Sequence, residues 1–246
     1  MFLSFHNLLY TISTPHEILN KLKELAFHVF EEVLATIKEK AIEFQELTDN
    51  QLTLSEMQPK VVSYQELYEL CLETHGASFK EHIETYIASL YNKDLREASI
   101  DLVREVHQFS PYRNPMIIVF FAPPYYPHSS SKKAPKIVEL CNHIIDIAKE
   151  KYGETLKLEP FFPGLSDMSY LGINHDRSID ALKENLPLWG NGYSIPLKTI
   201  SELNIPFINI GPLGKDPHKY TERICLSYSL DKASHLIYQA VLKAFA

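Results

Sequence analysis

The sequence predicts an α/β protein, and three of its features support this fold class. Apolar residues at helical spacing fill a long segment near the start of the chain. Short, continuous apolar runs bounded by prolines follow residue 110, and further helical patterns lie between these runs. The 246 residues, 45% hydrophobic and 22% charged, have the composition of a globular protein and suffice for one large domain or two small ones.

The first predicted helix runs from Pro15 to Leu47. Thr14 can cap it, Pro15 suits the first helical position, and Glu17 can reach back to the cap, as in a capping box. Apolar residues then recur at steps of three and four positions: Ile18, Leu22, Leu25, Val29, Val33 and Ile37. This spacing predicts one long amphipathic helix. The polar segment Thr48–Lys60 is expected to be a loop or a short edge strand.

Three shorter helices are predicted before residue 110. Ser63 and Glu66 have the spacing of a second capping box, and Gly76 can end the helix that this box opens. Phe79–Tyr91 and Asp94–His107 have the apolar spacing of two further helices. The first part of the chain is therefore expected to be mostly helical.

The rest of the chain is predicted to form a mixed sheet flanked by helices. Met116–Ala122 is a run of seven apolar residues, which indicates a strand buried on both faces in a parallel or mixed sheet. Further strands are predicted at Leu156–Phe161 and at Ile205–Ile210. Helical patterns fill Pro135–Gly153, where the glycine ends the helix, and the tail Leu230–Phe245.

The change of pattern at Ser110 predicts a boundary between a mostly helical domain, 1–110, and an α/β domain, 111–246. The net charge of −7 argues against a nucleic-acid-binding surface. No apolar run approaches the ~18–20 residues of a membrane span. Three widely separated cysteines and the absence of a signal-peptide pattern predict a cytoplasmic protein with reduced, mostly buried thiols.

Two loops that follow predicted strands carry the candidate site residues, because ligands of open α/β sheets bind beyond the carboxyl ends of the strands. The loops are Pro163–Ser169 and Gly211–His218. Asp167 and His218 offer a carboxylate and an imidazole, a pair typical of metal sites and acid–base sites. His218 and Glu222 are four residues apart, so a helix would place both on one face.

Simpler interpretations of these residues stay open. Ser166 and Asp167 can form a plain turn or a helix cap, and a lone loop histidine such as His218 can be an ordinary surface residue. The aromatic turn Trp189–Tyr193 can line a substrate pocket or only pack its own loop. A further alternative is an independent hydrolase that uses Ser166, Asp167 and His218, which requires these side chains within hydrogen-bond reach.

Several stretches of this sequence resemble a known enzyme clan. "GPLGKDPHKYTER" and "GLSDMSYLG" resemble the late signatures of the zinc-dependent metallopeptidase clan that includes aminoacylases, carboxypeptidases and the succinyl-diaminopimelate desuccinylase. "FFAPPYYPHSSS", "FFPGLSDMSYLG" and "PLWGNGYSIPL" are closer to its arginine-utilisation (RocB-type) branch. The resemblance extends from Thr14 to the C terminus.

The resemblance implies a role for each matching residue. His218 corresponds to the last ligand of a two-zinc centre that activates water against an amide bond. Glu222 and Arg223 are implied to orient the loop that carries this histidine. Four residues are implied to line the pocket for a small peptide or acyl-amino-acid-like substrate: Ser166, Asp167, Gly211 and Gly214.

The other motifs of the clan are not found in this sequence. It contains no His-x-Asp, since His175 and Asp176 lack the spacer, and no Gly-x-x-His stretch, which begins the clan's lid domain, lies in 1–110. Its one Glu-Glu pair, Glu31-Glu32, falls inside the first helix, where a solvated helix face is expected. The chain therefore resembles the C-terminal half of such an enzyme, with 1–110 as a partial lid domain and 111–246 as the C-terminal part of the catalytic domain.

A single histidine cannot hold a catalytic zinc, which needs about three protein ligands. We therefore expect a hydrolase fragment that is inactive alone, with zinc as the cofactor of the intact family enzyme. The alternative is a non-enzymatic binding or self-associating module. Its partner would be a second copy, paired through the helix Pro15–Leu47, or the missing N-terminal half.

Overall fold

The computed structural model describes residues 3–4, 13–48, 57–131, 134–159, 166–173 and 179–246. Within these ranges the chain forms eight α-helices and two small sheets, which is compatible with the predicted α/β class. The helices are α1 Pro15–Thr48, α2 Tyr64–His75, α3 Ala77–Ser89, α4 Leu95–Gln108, α5 Pro135–Tyr152, α6 Asp180–Glu184, α7 Leu197–Leu203 and α8 Ala233–Ala244. The strands are β1 Val61–Ser63, β2 Ile117–Val119, β3 Gly214–Lys215 and β4 Arg223–Ile224.

The predicted helix starts are confirmed by their hydrogen bonds. The backbone N–H of Thr14 donates to Oε2 of Glu17 at 2.7 Å, and that of Glu17 donates to Oγ1 of Thr14 at 3.2 Å. Ser63 and Glu66 form the same reciprocal pair at the start of α2, at 2.7 and 3.2 Å. These capping boxes satisfy backbone donors that the first turn of a helix leaves free.

Two glycines end helices as predicted. Gly76 follows α2 with a φ of 63°, and Gly153 follows α5 in the left-handed conformation with a φ of 64°. Glycine reaches this region without the steric penalty that a Cβ would bring. The predicted helical tail is also confirmed: a π-helical turn, Ser227–Lys232, leads into α8.

The chain divides into two compact units. The first, here called the helical unit, contains the described residues of 12–125 and 176–195. The second, called the C-terminal unit, contains those of 126–175 and 196–246, with Leu3 and Ser4. The interpretation of 1–110 as a partial lid domain and of 111–246 as part of a catalytic domain stays a prediction.

The helical unit is built around β1 and β2, which pair in parallel with Val61 opposite Ile117. Helices α2, α3 and α4 pack on one another, while the N-terminal turns of α1 contact the sheet. The helical unit encloses one cluster of buried apolar side chains, called the larger cluster: Val62, Tyr64, Leu67, Cys71, Phe79, Ile83, Ala98, Leu102, Val103, Val106, Leu182, Leu186 and Leu188.

The prediction of a buried strand over Met116–Ala122 is wrong in length and in burial. Only β2, Ile117–Val119, is a strand, and its residues are half-buried. The ladder between β1 and β2 is short because β1 ends at Ser63, where α2 begins. Beyond β2, the N–H of Phe121 donates to the backbone oxygen of Asn185 at 2.8 Å instead of extending the sheet.

Asn185 joins distant parts of the helical unit. Its side chain is buried, with Oδ1 accepting from the N–H of Gln65 at 3.1 Å and Nδ2 donating to the carbonyl of Ala181 at 2.9 Å. These bonds connect the first turn of α2 to the segment after α6. A buried amide that makes such bonds avoids the cost of an unsatisfied polar group.

The C-terminal unit is centred on α5 and α8. These helices pack through a small group of buried side chains, called the smaller cluster: Leu140, Ile144, Ala148, Leu236 and Ala240. Ile208 and Ile210 lie against this cluster, half-buried.

The predicted strand at Ile205–Ile210 does not form a ladder with any described residue. Instead, the N–H of Ile205 donates to the carbonyl of Leu171 at 2.7 Å, and that of Phe207 to Oγ of Ser131 at 2.8 Å. The described part of the predicted strand Leu156–Phe161, residues 156–159, is also not a strand. Its last residues, and most of the loop predicted at Thr48–Lys60, lie outside the described residues.

The aromatic turn Trp189–Tyr193 belongs to the helical unit. Gly190 and Gly192 have φ values of 78° and 123°, and the N–H of Gly190 donates to the carbonyl of Tyr193 at 2.9 Å. Both rings pack against the larger cluster, in a T-shaped pair with centroids 5.8 Å apart. Among the described residues, no helix has both the length and the apolar composition needed to cross a membrane.

Candidate functional site

The segment that carries His218 folds as a β-hairpin. β3 pairs with β4 in antiparallel fashion, with Gly214 opposite Ile224 and Lys215 opposite Arg223. His218 and Glu222 therefore do not share a helix face, because proline and glycine favour turns over a helix here. A Cβ at Gly214 would lie 3.1 Å from the backbone oxygen of Arg223, so the close strand approach favours glycine.

Two residues of the hairpin loop have left-handed backbone conformations. Asp216 has a φ of 55° and His218 a φ of 62°. Such values are uncommon for residues other than glycine, although Asp and His adopt them more readily than most. Two backbone hydrogen bonds close the turns around these residues. The N–H of Lys219 donates to the carbonyl of Asp216 at 3.1 Å, and the N–H of Glu222 donates to the carbonyl of Lys219 at 3.0 Å.

Charged side chains hold this loop in shape. Nη1 of Arg223 donates to Oδ2 of Asp216 at 2.6 Å and to the carbonyl of Thr221 at 3.1 Å. Oε2 of Glu222 accepts from the backbone N–H of His218 at 3.1 Å. Glu222 thus binds the backbone of His218 and Arg223 binds the carboxylate of Asp216, and no hydrogen bond joins either of them to the imidazole ring.

The ring of His218 is exposed at the tip of this hairpin. Among the described residues, no hydrogen bond engages either of its ring nitrogens, and no group of three or more His, Cys, Asp or Glu side chains could hold a metal ion. One imidazole is fewer than the roughly three protein ligands that a catalytic zinc needs. The described residues alone therefore do not fit a zinc centre.

Ser166 acts as a cap in the structure. Its Oγ accepts from the N–H of Met168 at 3.3 Å and starts a 3-10 turn, Asp167–Leu171. Asp167 is exposed in the first position of this turn. Within the described part of the chain, no hydrogen bond joins Ser166 or Asp167 to His218, so the triad alternative gains no support. The preceding loop residues 163–165 lie outside the described residues.

The turn after Ser166 closes against a segment that the sequence did not single out. A Cβ on Gly172 would lie 2.6 Å from Oδ1 of Asn204 and 3.1 Å from Oγ of Ser129. Asn204 has a φ of 37° and ends α7. The only sequence signal for this close packing was a glycine after an apolar turn, which many loops share. Gly211, by contrast, is exposed, and a Cβ there would meet no atom within 4 Å.

The remaining ionisable candidates have structural explanations. Glu31 and Glu32 are exposed on α1, where Nδ1 of His28 lies 3.4 Å from Oε2 of Glu31, so the predicted solvated helix face is confirmed. Burial raises the pKa of the Cys71 thiol to about 11. The exposed Cys225 thiol has a lowered pKa, because the Ser227 hydroxyl and the Tyr228 backbone N–H stabilise its thiolate.

Comparison with known proteins identifies two relatives. The uncharacterized protein YqjN of Bacillus subtilis is 32% identical over 245 residues, which cover 93% of this chain and 44% of YqjN. Protein RocB of the same organism is 35% identical over 176 residues, which cover 70% of this chain and 31% of RocB. No family model and no solved structure matches. The chain is thus a relative of RocB that spans less than half the length of either protein.

Proposed function

We propose that this relative of RocB derives from a metal-dependent amide or peptide hydrolase of the arginine-utilisation type and is catalytically incomplete by itself. Its relationship to RocB and YqjN supports the descent. The observation that carries the chemical part of the proposal is the presentation of His218 at the hairpin tip.

The hairpin holds the His218 backbone and leaves its ring open to a ligand. Glu222 binds the backbone N–H, Arg223 binds Asp216, and the imidazole remains exposed with both nitrogens unengaged by described residues. A histidine in a structural role usually hydrogen-bonds a neighbour, because its ring nitrogens are strong donors and acceptors. This arrangement suits a metal ligand whose partners come from another polypeptide segment.

Zinc bound by His218 would need about two further protein ligands. We propose that these ligands belong to the part of a RocB-like polypeptide that this chain does not match. In such an enzyme, 111–246 forms the C-terminal part of the catalytic domain and 1–110 part of the lid. The residues proposed to line the pocket for a small peptide or acyl-amino-acid substrate are Ser166, Asp167, Gly211 and Gly214.

The test measures metal binding and hydrolysis with the purified chain. We expect less than stoichiometric zinc by elemental analysis and no release of amino acids from N-acyl amino acids or dipeptides. Zinc added during an NMR titration is expected to shift the ring resonances of His218 before those of other histidines. The variant H218A should lose this response, whereas H28A, which removes an exposed histidine of α1, should keep it.

Two results would contradict the proposal in different ways. Stoichiometric zinc with amide hydrolysis by the chain alone would show that it is a complete enzyme. A titration in which His218 does not respond ahead of other histidines would remove it as the metal ligand. A non-enzymatic, self-associating module is the alternative function, and the relationship to RocB does not favour it.

A further inference from the structure

The C-terminal helix α8 is apolar on both of its sides. On one side, Leu236 and Ala240 are buried in the smaller cluster. The other side, called the outer face of α8, consists of large apolar residues that are 44 to 88% exposed: Ile237, Tyr238, Val241, Leu242 and Phe245. Their spacing places them on one continuous stripe of the helix.

Charged side chains do not interrupt this outer face. Lys243, the only charged residue of α8, lies 2.8 Å from Glu139 of α5 through its Nζ, so it is engaged within the unit. A helix at the surface of a soluble protein normally presents charged or polar residues to water, and a helix that is apolar all round is normally buried. The outer face of α8 therefore has the composition of a buried surface.

A second uncovered feature lies in the same unit. Ile208 and Ile210 lie against the smaller cluster, yet no described residue pairs with residues 205–210 in a ladder. Ile205 remains 45% exposed. The N–H groups of Ile205 and Phe207 are hydrogen-bonded within the unit, so the apolar side chains are the exposed part of this segment. Both features leave apolar surface of the C-terminal unit that the described residues do not cover.

The relatives contain polypeptide that this chain does not match. YqjN aligns with 93% of this chain, and more than half of YqjN lies outside the alignment. RocB has an even larger share of its length outside its alignment. Polypeptide outside these alignments is therefore a candidate source of the apolar contact.

We propose that the outer face of α8 docks a polypeptide homologous to the parts of YqjN and RocB that this chain does not match. This inference rests on the proposed function, since the same polypeptide would supply the missing metal ligands. The contact is apolar, with Val241 near the middle of the stripe. A second copy of this chain is the competing occupant, and the test separates the two.

The experiment co-expresses the full chain with the unmatched part of YqjN and, separately, with that of RocB, and measures complexes by size-exclusion chromatography with light scattering. We expect a one-to-one complex with at least one of them. V241D should raise its dissociation constant by about tenfold or more, because a charge would be buried at the centre of an apolar contact. I42D is the control, since Ile42 lies on α1 away from its apolar stripe and is 46% exposed, while Val241 is 49% exposed.

Circular dichroism and thermal melting of V241D alone check that an unchanged fold accompanies the loss of binding. The inference is overturned if neither segment forms a complex, if V241D binds like the parent chain, or if the chain forms a homodimer that V241D dissociates. A complex that forms normally but holds no zinc and hydrolyses no amide leaves the docking surface standing and contradicts the proposed function alone.

Discussion

The two units of the molecule bury their apolar residues to very different extents. The larger cluster of the helical unit contains thirteen buried residues, whereas the smaller cluster of the C-terminal unit contains five. In the C-terminal unit, α8 also leaves its outer face exposed. The helical unit encloses a large core, whereas the described residues of the C-terminal unit leave part of its apolar surface exposed.

The long helix α1 also exposes apolar residues, but it differs from α8 in its charged residues. Beyond its first turns α1 is also exposed, including Leu25 and Val33, but charged residues alternate with its apolar ones. Such a helix is compatible with solvent, because its polar face remains hydrated. The content of charged residues distinguishes the two helices, because α1 has many and α8 has only Lys243.

The largest effect is expected from the core of the helical unit. Phe79 is fully buried and its ring centroid lies 5.2 Å from that of Tyr68 and 5.3 Å from that of Phe109. F79A should lower the free energy of unfolding by about 3–5 kcal/mol, because it removes these contacts and leaves a cavity. Urea denaturation measures the change. F44A, at the 46% exposed Phe44, is the control, and equal effects of both variants would show that the larger cluster is not an enclosed core.

A smaller loss is expected from the core of the C-terminal unit. Leu236 is fully buried, yet it belongs to a cluster of only five residues. L236A should cost about 2 kcal/mol, at the low end for buried leucine, because a small cluster can collapse around the missing atoms. Hydrogen exchange should accelerate in α5 and α8 and stay unchanged in α4. Equal acceleration in α4 would mean that the two units unfold together.

Two serine caps extend the comparison to local structure. Ser63 is buried and caps a twelve-residue helix, whereas Ser166 caps a five-residue 3-10 turn. S63A should cost about 1 kcal/mol of unfolding free energy, as is usual for an N-cap. S166A should cost only a few tenths, because a short turn carries little cooperative structure. Thermal melts of both variants test whether S63A is the more destabilising of the two. A larger effect of S166A would contradict this prediction.

The smallest effect concerns the acid dependence of stability. Burial tends to raise the pKa of Glu66, but hydrogen bonds from the Lys23 ammonium at 2.5 Å and the Ser63 N–H outweigh it and leave that pKa lowered. A carboxyl whose pKa is lower in the folded state stabilises the protein above its unfolded pKa, and the gain is lost as the pH falls through the folded pKa. The stability difference between the parent chain and E66Q should therefore shrink between about pH 5 and pH 3.

This acid effect should be small, because Glu66 is 49% exposed and water screens the pair. The matched pair in the C-terminal unit is Glu139 with Lys243, where the hydrogen bond to Lys243 also lowers the pKa of Glu139. Glu139 is 67% exposed, so E139Q should change the acid dependence less than E66Q. A larger effect of E139Q would indicate that the C-terminal unit relies on charge more than on its core.

Local features were predictable wherever neighbouring residues determine them. The capping boxes at Thr14 and Ser63 and the helix end at Gly153 depend on side chains within a few positions of the backbone groups they satisfy. The strands were less predictable. Met116–Ala122 and Ile205–Ile210 have strand-like composition, but a ladder also requires a partner of matching length, which β1 does not provide and the described residues near Ile205 do not contain.

The candidate site was likewise predictable only in the features that neighbouring residues determine. The glycines and prolines before His218 predicted a turn, and the resemblance selected the histidine. The hairpin itself, and the use of Glu222 on the backbone N–H instead of on a helix face, became evident only from the fold. The close approach of Gly172 to Asn204 could not be predicted, because the two residues are 32 positions apart in the chain.

The amino-acid sequence by itself determined the helices, their caps, the turn-rich segment around His218 and the relationship to RocB, because each is encoded in short-range patterns or in residue identity. The tertiary structure decided which apolar residues are enclosed. It also grouped the segment 179–195 with the helices that precede residue 125 and left the outer face of α8 uncovered. Burial depends on which distant segments meet, and apolar spacing along one helix cannot specify that partner.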